Sequence, residues 1–416
     1  MRIAMVSEHA DPTATLGQAD AGGQNVHVAA LSAALAARGH VLTVYTRWES
    51  SSAPAWSRLG AGVIVVRLRA GPLRKLPKDD LLPHMAEFGD RLRTLWRDEP
   101  PDIVHAHFWM SGIAALRAVA GLPVPVAQTY HALGTVKKRH QGAADPSPDC
   151  RIRLERNVGL RCDQIIATCT DEVDELAGMG IGADRISIVP CGVSARDFRP
   201  AGAVLARTGQ PRLVTLGRLV PRKGVDTVID ALQELPGTEL VIAGGSARRL
   251  LGNDQEVRRL SALAEARGVA NRVIFTGGVR HDRIPGLLRS ADVVVCTPWY
   301  EPFGIVPLEA MACGIPVIAS DVGGLTDTVV DGVTGFHVPP RDPAAVAEAA
   351  RVLLADAGLR ARFGRAGVRR VRRWYEWGRV AEQTEAVYAR LAEAPAATPH
   401  PGTARSDDAE GAVGST

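Results

Sequence analysis

The 416-residue sequence predicts an α/β protein with two Rossmann-like, doubly wound domains that face a central cleft. Three observations support this prediction. Each half alternates short apolar runs with helical patterns, residues 195–211 interrupt the alternation, and a chain of this length can form two buried cores. In this arrangement the carboxyl ends of both sheets meet the cleft, where open α/β sheets bind ligands.

The first domain is predicted to cover residues 1–200. Short apolar runs predict its strands at 3–7, 41–46, 63–68, 103–107, 124–129, 164–168 and 186–190. Helical patterns between those runs predict helices at 24–38, 79–98, 111–120, 151–161 and 171–178. This alternation predicts a mostly parallel sheet covered by helices on both faces.

The second domain is predicted to cover residues 211–365. Its strands are expected at 213–216, 240–243, 273–276, 293–297, 317–320 and 335–338, the last after an Asp331-Gly332 turn. Residues 366–393 are predicted to form helices that pack back toward the first domain. Residues 394–416 consist largely of Ala, Pro, Thr, Gly, Ser and Asp, and we expect a disordered tail there.

Composition narrows the function classes. The net charge of +4 is too small for the basic face of a nucleic-acid-binding protein. The six cysteines form no C-x-x-C pair, so we interpret them as buried thiols in a reducing compartment. The sequence has no signal-peptide pattern and no apolar run long enough to span a membrane. We therefore expect a cytoplasmic protein, either a monomer or a homodimer.

The segment 300–314 is predicted to form a strand–loop–helix turn at the cleft. Glu301 lies in the loop, and Glu309 lies eight residues later in the helix. Backbone N–H groups at the start of the helix can bind a phosphate, and a glycine lets the ligand approach the backbone closely. These amides belong to Phe303, Gly304, Ile305 and Val306. The alternative is two solvated glutamates beside an ordinary helix start.

Two cations follow the first strand of the second domain. Arg218 and Lys223 flank a turn that begins a helix. Because cations oppose the dipole at a helix N-terminus, their position indicates an anion between them. Ordinary surface cations at a turn are the alternative interpretation.

The first turn of the first domain ends in Gly22-Gly23, directly before a helix. Paired glycines there allow close approach of a phosphate. A flexible glycine-rich loop is the alternative. The spacing differs from the G-x-G-x-x-G fingerprint of dinucleotide-binding domains, which disfavours a nicotinamide-dependent dehydrogenase.

Three histidines are predicted at strand ends of the first domain. They are His105, His107 and His131, and the loop after His131 carries the cations of 137–139. A strand-end histidine usually has a structural role, but His131 borders a cationic wall suited to an anionic substrate. A metal site is not expected, because the sequence has no D-x-D or spaced ligand cluster. A divalent metal is therefore not expected to be essential.

Basic segments outside these motifs have simpler interpretations. Residues 369–377 mix arginines with aromatic residues, which favours a solvated helix face with aromatic anchors over a phosphate-binding surface. The segments 74–75 and 137–139 are basic enough for weak peripheral contact with anionic lipid, but solvated loops are the favoured interpretation.

Taken together, these motifs resemble the retaining glycosyltransferases of family 4, which have the two-domain GT-B fold. The resemblance covers about residues 1–390 and rests on Glu301-x7-Glu309, the 217–224 cation turn, Gly22-Gly23 and the 331–337 turn. It implies an enzyme that moves a hexosyl group from a nucleotide diphosphate-sugar to a small polar acceptor, with no further cofactor.

The residue roles below are implied by this resemblance. Glu309 would hold the ribose and Glu301 the sugar hydroxyls, Arg218, Lys223 and Gly23 the diphosphate, and the backbone near Arg280 the base. His131 would lie beside the reacting carbon. The first domain would bind the acceptor through Asn25, Lys78, His107, Phe108 and Arg151.

Two segments of the first domain, 20–26 and 104–112, resemble two groups within the family. One transfers N-acetylglucosamine to inositol phosphate in mycothiol synthesis, and the other contains sucrose synthase and sucrose-phosphate synthase. Both groups favour UDP-glucose or UDP-N-acetylglucosamine as the donor. Phe108 and Ala132 replace a Tyr and a Thr that contact phosphate in the first group, which disfavours inositol phosphate as the acceptor.

Three alternatives to this function stay open at the level of the sequence. Two of them are enzymes of the same fold, a sucrose or glucan synthase and a GDP-mannose-dependent lipid mannosyltransferase. The third belongs to another class and is a nucleotide-sugar-binding protein without activity. Against loss of activity stands the presence of five polar residues of the predicted site, which are Glu301, Glu309, Arg218, Lys223 and His131.

Overall fold

The computed structural model describes residues 1–13 and 23–393. Two α/β domains with separate sheets are present, so the predicted fold class is confirmed. Gly22, with the rest of 14–22, lies outside the described residues, as does the predicted tail at 394–416. No helix among the described residues is long and apolar enough to cross a membrane.

The first domain is built on an eight-stranded sheet. Its strands are β1 (Arg2–Val6), β2 (Val41–Arg47), β3 (Trp56–Arg58), β4 (Val63–Leu68), β5 (Ile103–His107), β6 (Val126–Thr129), β7 (Gln164–Ala167) and β8 (Ile186–Ile188). The order is β3-β4-β2-β1-β5-β6-β7-β8. All pairs are parallel except β3 with β4. The central strands are apolar because helices cover both faces of the sheet.

Six helices cover this sheet. They are α1 (Gly23–Ala37), α2 (Met85–Asp98), α3 (Trp109–Ala118), α4 (Gly134–Gln141), α5 (Arg151–Arg161) and α6 (Thr170–Gly178). Strand β3 and helix α4 were not predicted from the sequence. β3 has three residues and forms only by pairing with β4, and α4 is too polar to show an apolar period.

The second domain is built on a parallel six-stranded sheet. Its strands are β9 (Arg212–Leu216), β10 (Glu239–Ala243), β11 (Val273–Gly277), β12 (Val293–Cys296), β13 (Val317–Ser320) and β14 (Gly335–Val338). The order is β11-β10-β9-β12-β13-β14, with the topological switch between β9 and β12. This switch point places the loops after β9 and β12 side by side at the carboxyl edge of the sheet.

Eight helices complete the second half. They are α7 (Val225–Ala231), α8 (Gln255–Ala266), α9 (Ile284–Leu288), α10 (Ile305–Ala312), α11 (Leu325–Thr328), α12 (Pro343–Ala355), α13 (Ala357–Trp374) and α14 (Trp377–Glu393). Helix α13 packs on α10 of the second domain, whereas α14 packs on α1 of the first. The last helix therefore fastens the end of the described chain to the first domain.

The chain crosses between the domains twice, and the two crossings lie side by side. The first crossing joins β8 to β9, and the second joins α13 to α14. They meet where the Val193 N–H donates to the Tyr375 carbonyl at 2.7 Å. Phe198 already packs in the core of the second domain, because the segment from 191 onward adds apolar side chains to that core.

Candidate active site

A cavity of about 390 Å³ separates the two domains at the carboxyl edges of their sheets. The first domain lines it with residues at the start of α1 and at the ends of β5 and β6. The second domain lines it with the loop after β9, the loop after β12 and the start of α10. The polar residues of the lining include His9, Gln24, Asn25, Lys78, His131, Arg218, Arg222, Lys223 and Glu301. Most of the residues predicted to bind ligand therefore converge on one space.

The loop after β12 positions the second-domain wall. Gly304 has φ +89° directly before α10, and a Cβ on it would lie 2.5 Å from Leu325 Cδ2. This left-handed turn directs the first N–H groups of α10 toward the cavity, whose lining includes residues 303–306. A helix start that faces open space in this way can bind an anion.

Ionic groups concentrate on the same wall. The Lys223 ammonium forms an ion pair with the Glu301 carboxylate. Burial acts to raise the pKa of Glu301, but Lys223 and Arg222 outweigh burial and lower the pKa below its ordinary value. Arg218 adds a third cation to the lining. The wall thus presents three cations and one carboxylate that is held ionised.

Arg222 lies within the 217–224 cation turn, but no role was predicted for it from the sequence. Its guanidinium lies 5.0 Å from the centre of the Tyr300 ring. Its Nη1 is buried and has no hydrogen-bond partner among the described residues. Since a buried N–H donor without an acceptor is unfavourable, this atom is a place where a bound anion would supply the missing partner.

Glu309 lies deeper than predicted. Its side chain follows the start of α10, is 7% exposed and does not belong to the cavity lining. Burial raises its pKa to about 8. The two glutamates of the sequence motif therefore differ in charge state near neutral pH.

The start of α1 forms the facing wall of the first domain. Gln24 Nε2 donates to Ser7 Oγ at 3.1 Å and to the His107 carbonyl at 3.2 Å. Asn25 Nδ2 donates to the Asp11 carbonyl at 3.0 Å. A Cβ on Gly23 would lie 3.3 Å from Ile305 Cδ1, so the two walls approach each other closely at this glycine.

Two residues at the ends of neighbouring strands have unusual backbone conformations. Phe108 after β5 has φ +80°, and His131 after β6 has φ +60°. Non-glycine residues with positive φ are strained and cluster at functional sites. Both side chains line the cavity. His107, which was predicted to bind the acceptor, lies behind His131 and does not line the cavity.

A hydrogen-bonded chain, called here the histidine chain, runs from Tyr388 of α14 through His105 to Thr129, and the centre of the His107 ring lies 4.1 Å from that of the His105 ring. Tyr388 Oη lies 2.6 Å from His105 Nδ1, and His105 Nε2 lies 2.9 Å from Thr129 Oγ1. The Thr129 hydroxyl donates to the Ile166 carbonyl, so it can only accept from His105. His105 therefore carries its proton on Nε2, and Tyr388 donates to its Nδ1.

The position of the proton on His131 follows from its hydrogen bond with His107. His107 Nδ1 lies 3.0 Å from His131 Nε2, and His107 Nε2 is buried with no partner among the described residues. A buried donor without a partner costs more than a buried acceptor without one. His107 therefore carries its proton on Nδ1 and donates to His131 Nε2. This arrangement leaves His131 with its own proton on Nδ1.

The histidine cluster is uncharged near neutral pH. Burial lowers the pKa of His27 to about 4 and that of His105 to about 3. Burial, reinforced by the neighbouring histidines, lowers the pKa of His107 and of His131 well below the ordinary value. The first-domain wall at His131 is thus a neutral hydrogen-bonding surface.

Two predicted acceptor-binding residues lie beside Phe108, which was predicted to bind the acceptor as well. The Lys78 ammonium lies 5.6 Å from the centre of its ring, and the Arg151 guanidinium lies 5.3 Å from it. Lys78 lines the cavity, and burial with the nearby Lys137 lowers its pKa. Arg151 does not line the cavity, because its donors bind the Glu155 carboxylate at 2.7 Å and the Ala132 carbonyl at 2.7 Å.

Arg280 lies outside the cavity. Its side chain is 83% exposed and pairs with Asp282 at 3.0 Å. The described residues contain no group of three or more His, Cys, Asp or Glu side chains that could hold a metal ion.

Comparisons with known proteins agree with this architecture. Residues 21–197 match the family model described as Glycosyltransferase Family 4. Residues 201–370 match the model described as Glycosyl transferases group 1. The boundary between the two matches falls in the first crossing between the domains.

Individual relatives align over nearly the whole chain. The D-inositol 3-phosphate glycosyltransferase of Xylanimonas cellulosilytica is 37% identical, over 93% of this chain and 96% of its own. That of Acidothermus cellulolyticus is 38% identical, over 93% and 90%. The structure of sucrose-phosphate synthase from Thermosynechococcus elongatus superposes with a TM-score of 0.86 and 31% identity, over 94% of this chain and 99% of its own.

Proposed function

The chain belongs to the family 4 glycosyltransferases of the GT-B fold, and we propose that it moves a hexosyl group from a UDP-sugar to a hydroxyl of a cyclitol, sugar or sugar phosphate. UDP-glucose and UDP-N-acetylglucosamine are the proposed donors. The observation that carries the proposal is the cationic wall with a helix N-terminus, which faces a neutral histidine wall across one cavity.

The second-domain wall would bind the diphosphate of the donor. Arg218, Arg222 and Lys223 supply positive charge, and the buried Arg222 Nη1 lacks an acceptor within the described structure. Gly23 would let the first domain close on the same diphosphate, since its missing side chain leaves the walls in near contact. The negative charge that develops on the departing diphosphate would be stabilised by these cations.

The two glutamates would bind the two sugar units of the donor, the hexose and the ribose. Glu301 is ionised and accessible from the cavity, so it can accept hydrogen bonds from hydroxyls of the transferred hexose. Glu309 would accept from the ribose hydroxyls after a small rearrangement that exposes it, and loss of its proton would accompany that contact.

The acceptor would occupy the first-domain side of the cavity. Lys78 and Asn25 line that side, and Phe108 forms an apolar surface beneath Lys78. Arg151 would act indirectly, because its donors already hold Glu155 and the loop carbonyl of Ala132. A cyclitol or sugar ring fits this combination of one cation, one amide and one aromatic face.

We propose that transfer proceeds with retention of configuration. The acceptor hydroxyl would attack on the face from which the diphosphate leaves, and its proton would pass to a departing phosphate oxygen. His131 presents Nδ1–H and is neutral, so it would donate a hydrogen bond and would not act as the base. The protein would contribute positioning and electrostatic stabilisation, and the closed cleft would exclude water.

Release of nucleotide diphosphate by the purified protein tests the proposal. UDP-glucose, UDP-N-acetylglucosamine and GDP-mannose would each be offered with and without myo-inositol, inositol phosphate, fructose and fructose 6-phosphate. We expect release from one UDP-sugar, increased by one acceptor. No release from any donor, together with no thermal stabilisation by UDP or GDP, would overturn the assignment of the cavity.

A second candidate function is synthesis of a sucrose-type disaccharide. It is favoured by the 31% identity and 0.86 TM-score shared with sucrose-phosphate synthase. The fructose and fructose 6-phosphate arms of the same assay distinguish it from transfer to a cyclitol.

A further inference from the structure

A second cavity of about 420 Å³ borders the first cavity at His131 and Glu301. It shares His131, Ala132, Glu301 and Pro302 with the first cavity. Its remaining walls come from α4 and the start of α6 in the first domain and from the loop after β13 in the second. None of the roles proposed above uses this space.

The charge of the second cavity is opposite to that of the first. Its lining contains five carboxylates, on Asp171, Glu172, Glu175, Glu301 and Asp321, against the single cation of Arg139. Arg139 is bound to Glu175 at 2.6 Å. A lining of this kind repels phosphate and accepts hydrogen bonds from hydroxyl groups.

Glu172 provides an acceptor that has no partner. The residue lines the cavity and is 8% exposed. Its Oε2 accepts from the Thr168 N–H at 2.7 Å and from the Thr168 hydroxyl at 2.8 Å. Its Oε1 is buried and has no hydrogen-bond partner in the described part of the chain. A ligand hydroxyl that reached this oxygen would satisfy a buried acceptor.

The other walls suit a ring. The His140 and Tyr300 rings stack at 4.8 Å between centroids with a 22° interplanar angle, one from each domain. Gln141 Nε2 donates to the Tyr300 hydroxyl, which fixes that ring. Leu133, Val136 and Val322 add apolar surface. Apolar and aromatic walls with a few fixed polar groups are the usual composition of a small-molecule site.

From these features we propose that the second cavity is a binding subsite for a sugar or cyclitol ring that carries no phosphate. The ring would donate hydroxyl hydrogen bonds to Glu172 and Asp171 and rest against the apolar and aromatic walls. A divalent ion is disfavoured as the ligand, because no metal-holding cluster occurs among the described residues.

The shared wall gives this subsite its place in the reaction. Its position as an acceptor subsite rests on the proposed function, since His131 and Glu301 would flank the transferred hexose. A ring in the second cavity would contact the wall of His131 and Glu301, which also lines the first cavity. The enzyme would then bind an acceptor that carries a second, uncharged ring, as well as a small acceptor with one ring.

The test measures binding directly, without catalysis. Maltose, sucrose and myo-inositol are titrated into the protein saturated with UDP, with glucose 6-phosphate as the charged probe. Thr326 is exposed at the mouth of the cavity, so Thr326→Trp would narrow it without disturbing a core. Thr94→Trp, at an exposed position of α2 outside both cavities, is the matched control. Glu172→Gln replaces one carboxyl oxygen by an NH2 group and preserves the shape.

We expect a neutral probe to bind, with affinity lowered about tenfold or more by Thr326→Trp and by Glu172→Gln and unchanged by Thr94→Trp. Binding of glucose 6-phosphate should not respond to Thr326→Trp. Equal affinities of all variants for every neutral probe, or no binding of any neutral probe to the wild-type protein, would overturn the subsite. Because UDP is titrated into each protein before the probe is added, absence of UDP binding would identify failure of the proposed function separately.

Discussion

The two walls of the active-site cavity are built from different chemistry. The second-domain wall contains three cations, an ionised glutamate and a helix start. The first-domain wall around His131 contains neutral histidines, an aromatic ring and side-chain amides that are held by hydrogen bonds. Lys78 is the only lysine or arginine that the described part of the first domain adds to the lining, and burial lowers its pKa.

This difference separates two requirements of glycosyl transfer. In the proposed reaction the departing diphosphate needs positive charge, which the second-domain wall would supply. The reacting sugar and the acceptor need fixed orientation, which the other wall supplies through buried hydrogen bonds. Charge placed on the histidine wall would repel Arg218 and Lys223 across the cavity, so burial of the histidines keeps the two functions compatible.

Removal of a cation from the second-domain wall should have the largest effect. Lys223→Ala or Arg218→Ala should lower turnover about 10²- to 10³-fold, because each takes positive charge away from the leaving group. Steady-state release of nucleotide diphosphate measures this. Arg267→Ala removes an exposed cation that pairs with Asp230, and it serves as the control with normal turnover. Turnover within about threefold of wild type in both cavity variants would show that these cations do not stabilise the leaving group.

Substitutions of His107, which lies behind the first-domain wall, should act by changing how His131 is oriented. His107→Leu removes the donor to His131 Nε2 and should lower kcat about tenfold, which corresponds to ~1.4 kcal/mol, with little change in the KM of the donor. His107→Asn keeps an N–H near the position of Nδ1 and should recover most of kcat. The ¹⁵N shifts of His131 should report a change of tautomer in the Leu variant alone. If Asn and Leu are equally impaired, His107 merely fills space.

The pH dependence of stability shows whether Glu309, which lies behind the second-domain wall, is charged in the folded protein. Its pKa in the folded protein is about 8, so the folded state binds more protons than the unfolded state between about pH 4.5 and 8. Its contribution to stability is complete below that window and is lost as pH rises through it, at up to about 1.4 kcal/mol per pH unit. Glu309→Gln should remove this loss.

The measurement is the melting temperature of both proteins across that window. The variant should gain stability relative to wild type as pH rises from 5 to about 8. Parallel pH profiles would show that Glu309 is ionised in the folded protein. Saturating UDP should lower the pKa of Glu309, and this would reduce the difference between the two proteins.

The smallest effect is expected at the far end of the histidine chain. Tyr388→Phe removes the donor to His105 Nδ1 and should cost about 0.5–1.5 kcal/mol of stability. Turnover should stay within about twofold, because Thr129 and Ile166 still fix the tautomer of His105. Equilibrium unfolding and donor turnover measure the two quantities. A large loss of turnover at unchanged stability would show that α14 acts on the reaction directly.

The sequence predicted the domains and much of the cavity because local patterns encode both. Apolar runs predicted the strands, and a glycine before a helix predicted the turn at 304. The depth of a side chain is set by packing between distant segments, so Glu309, Arg151 and His107 were predicted at the cavity but lie behind its lining. Arg280 was placed by analogy and lies in solvent.

The second cavity could not have been predicted in the same way. It forms where α4, a polar helix without an apolar period, meets the loops of the other domain. Its carboxylates are far apart in sequence, and no local spacing joins Asp171 to Asp321. The histidine chain has the same property, since Tyr388 and His105 are 283 positions apart.

The anomeric configuration of the first product shows directly whether transfer retains the configuration of the donor sugar. In the proposed reaction the acceptor hydroxyl attacks the face of the sugar from which the diphosphate leaves. A departing phosphate oxygen takes the hydroxyl proton, because His131 already carries a proton on Nδ1. Proton NMR of the product, recorded before mutarotation or further reaction, gives the configuration at the transferred carbon. From an α-linked UDP-sugar we predict an α-linked product. A β-linked product would require a protein base on the opposite face and would contradict the account.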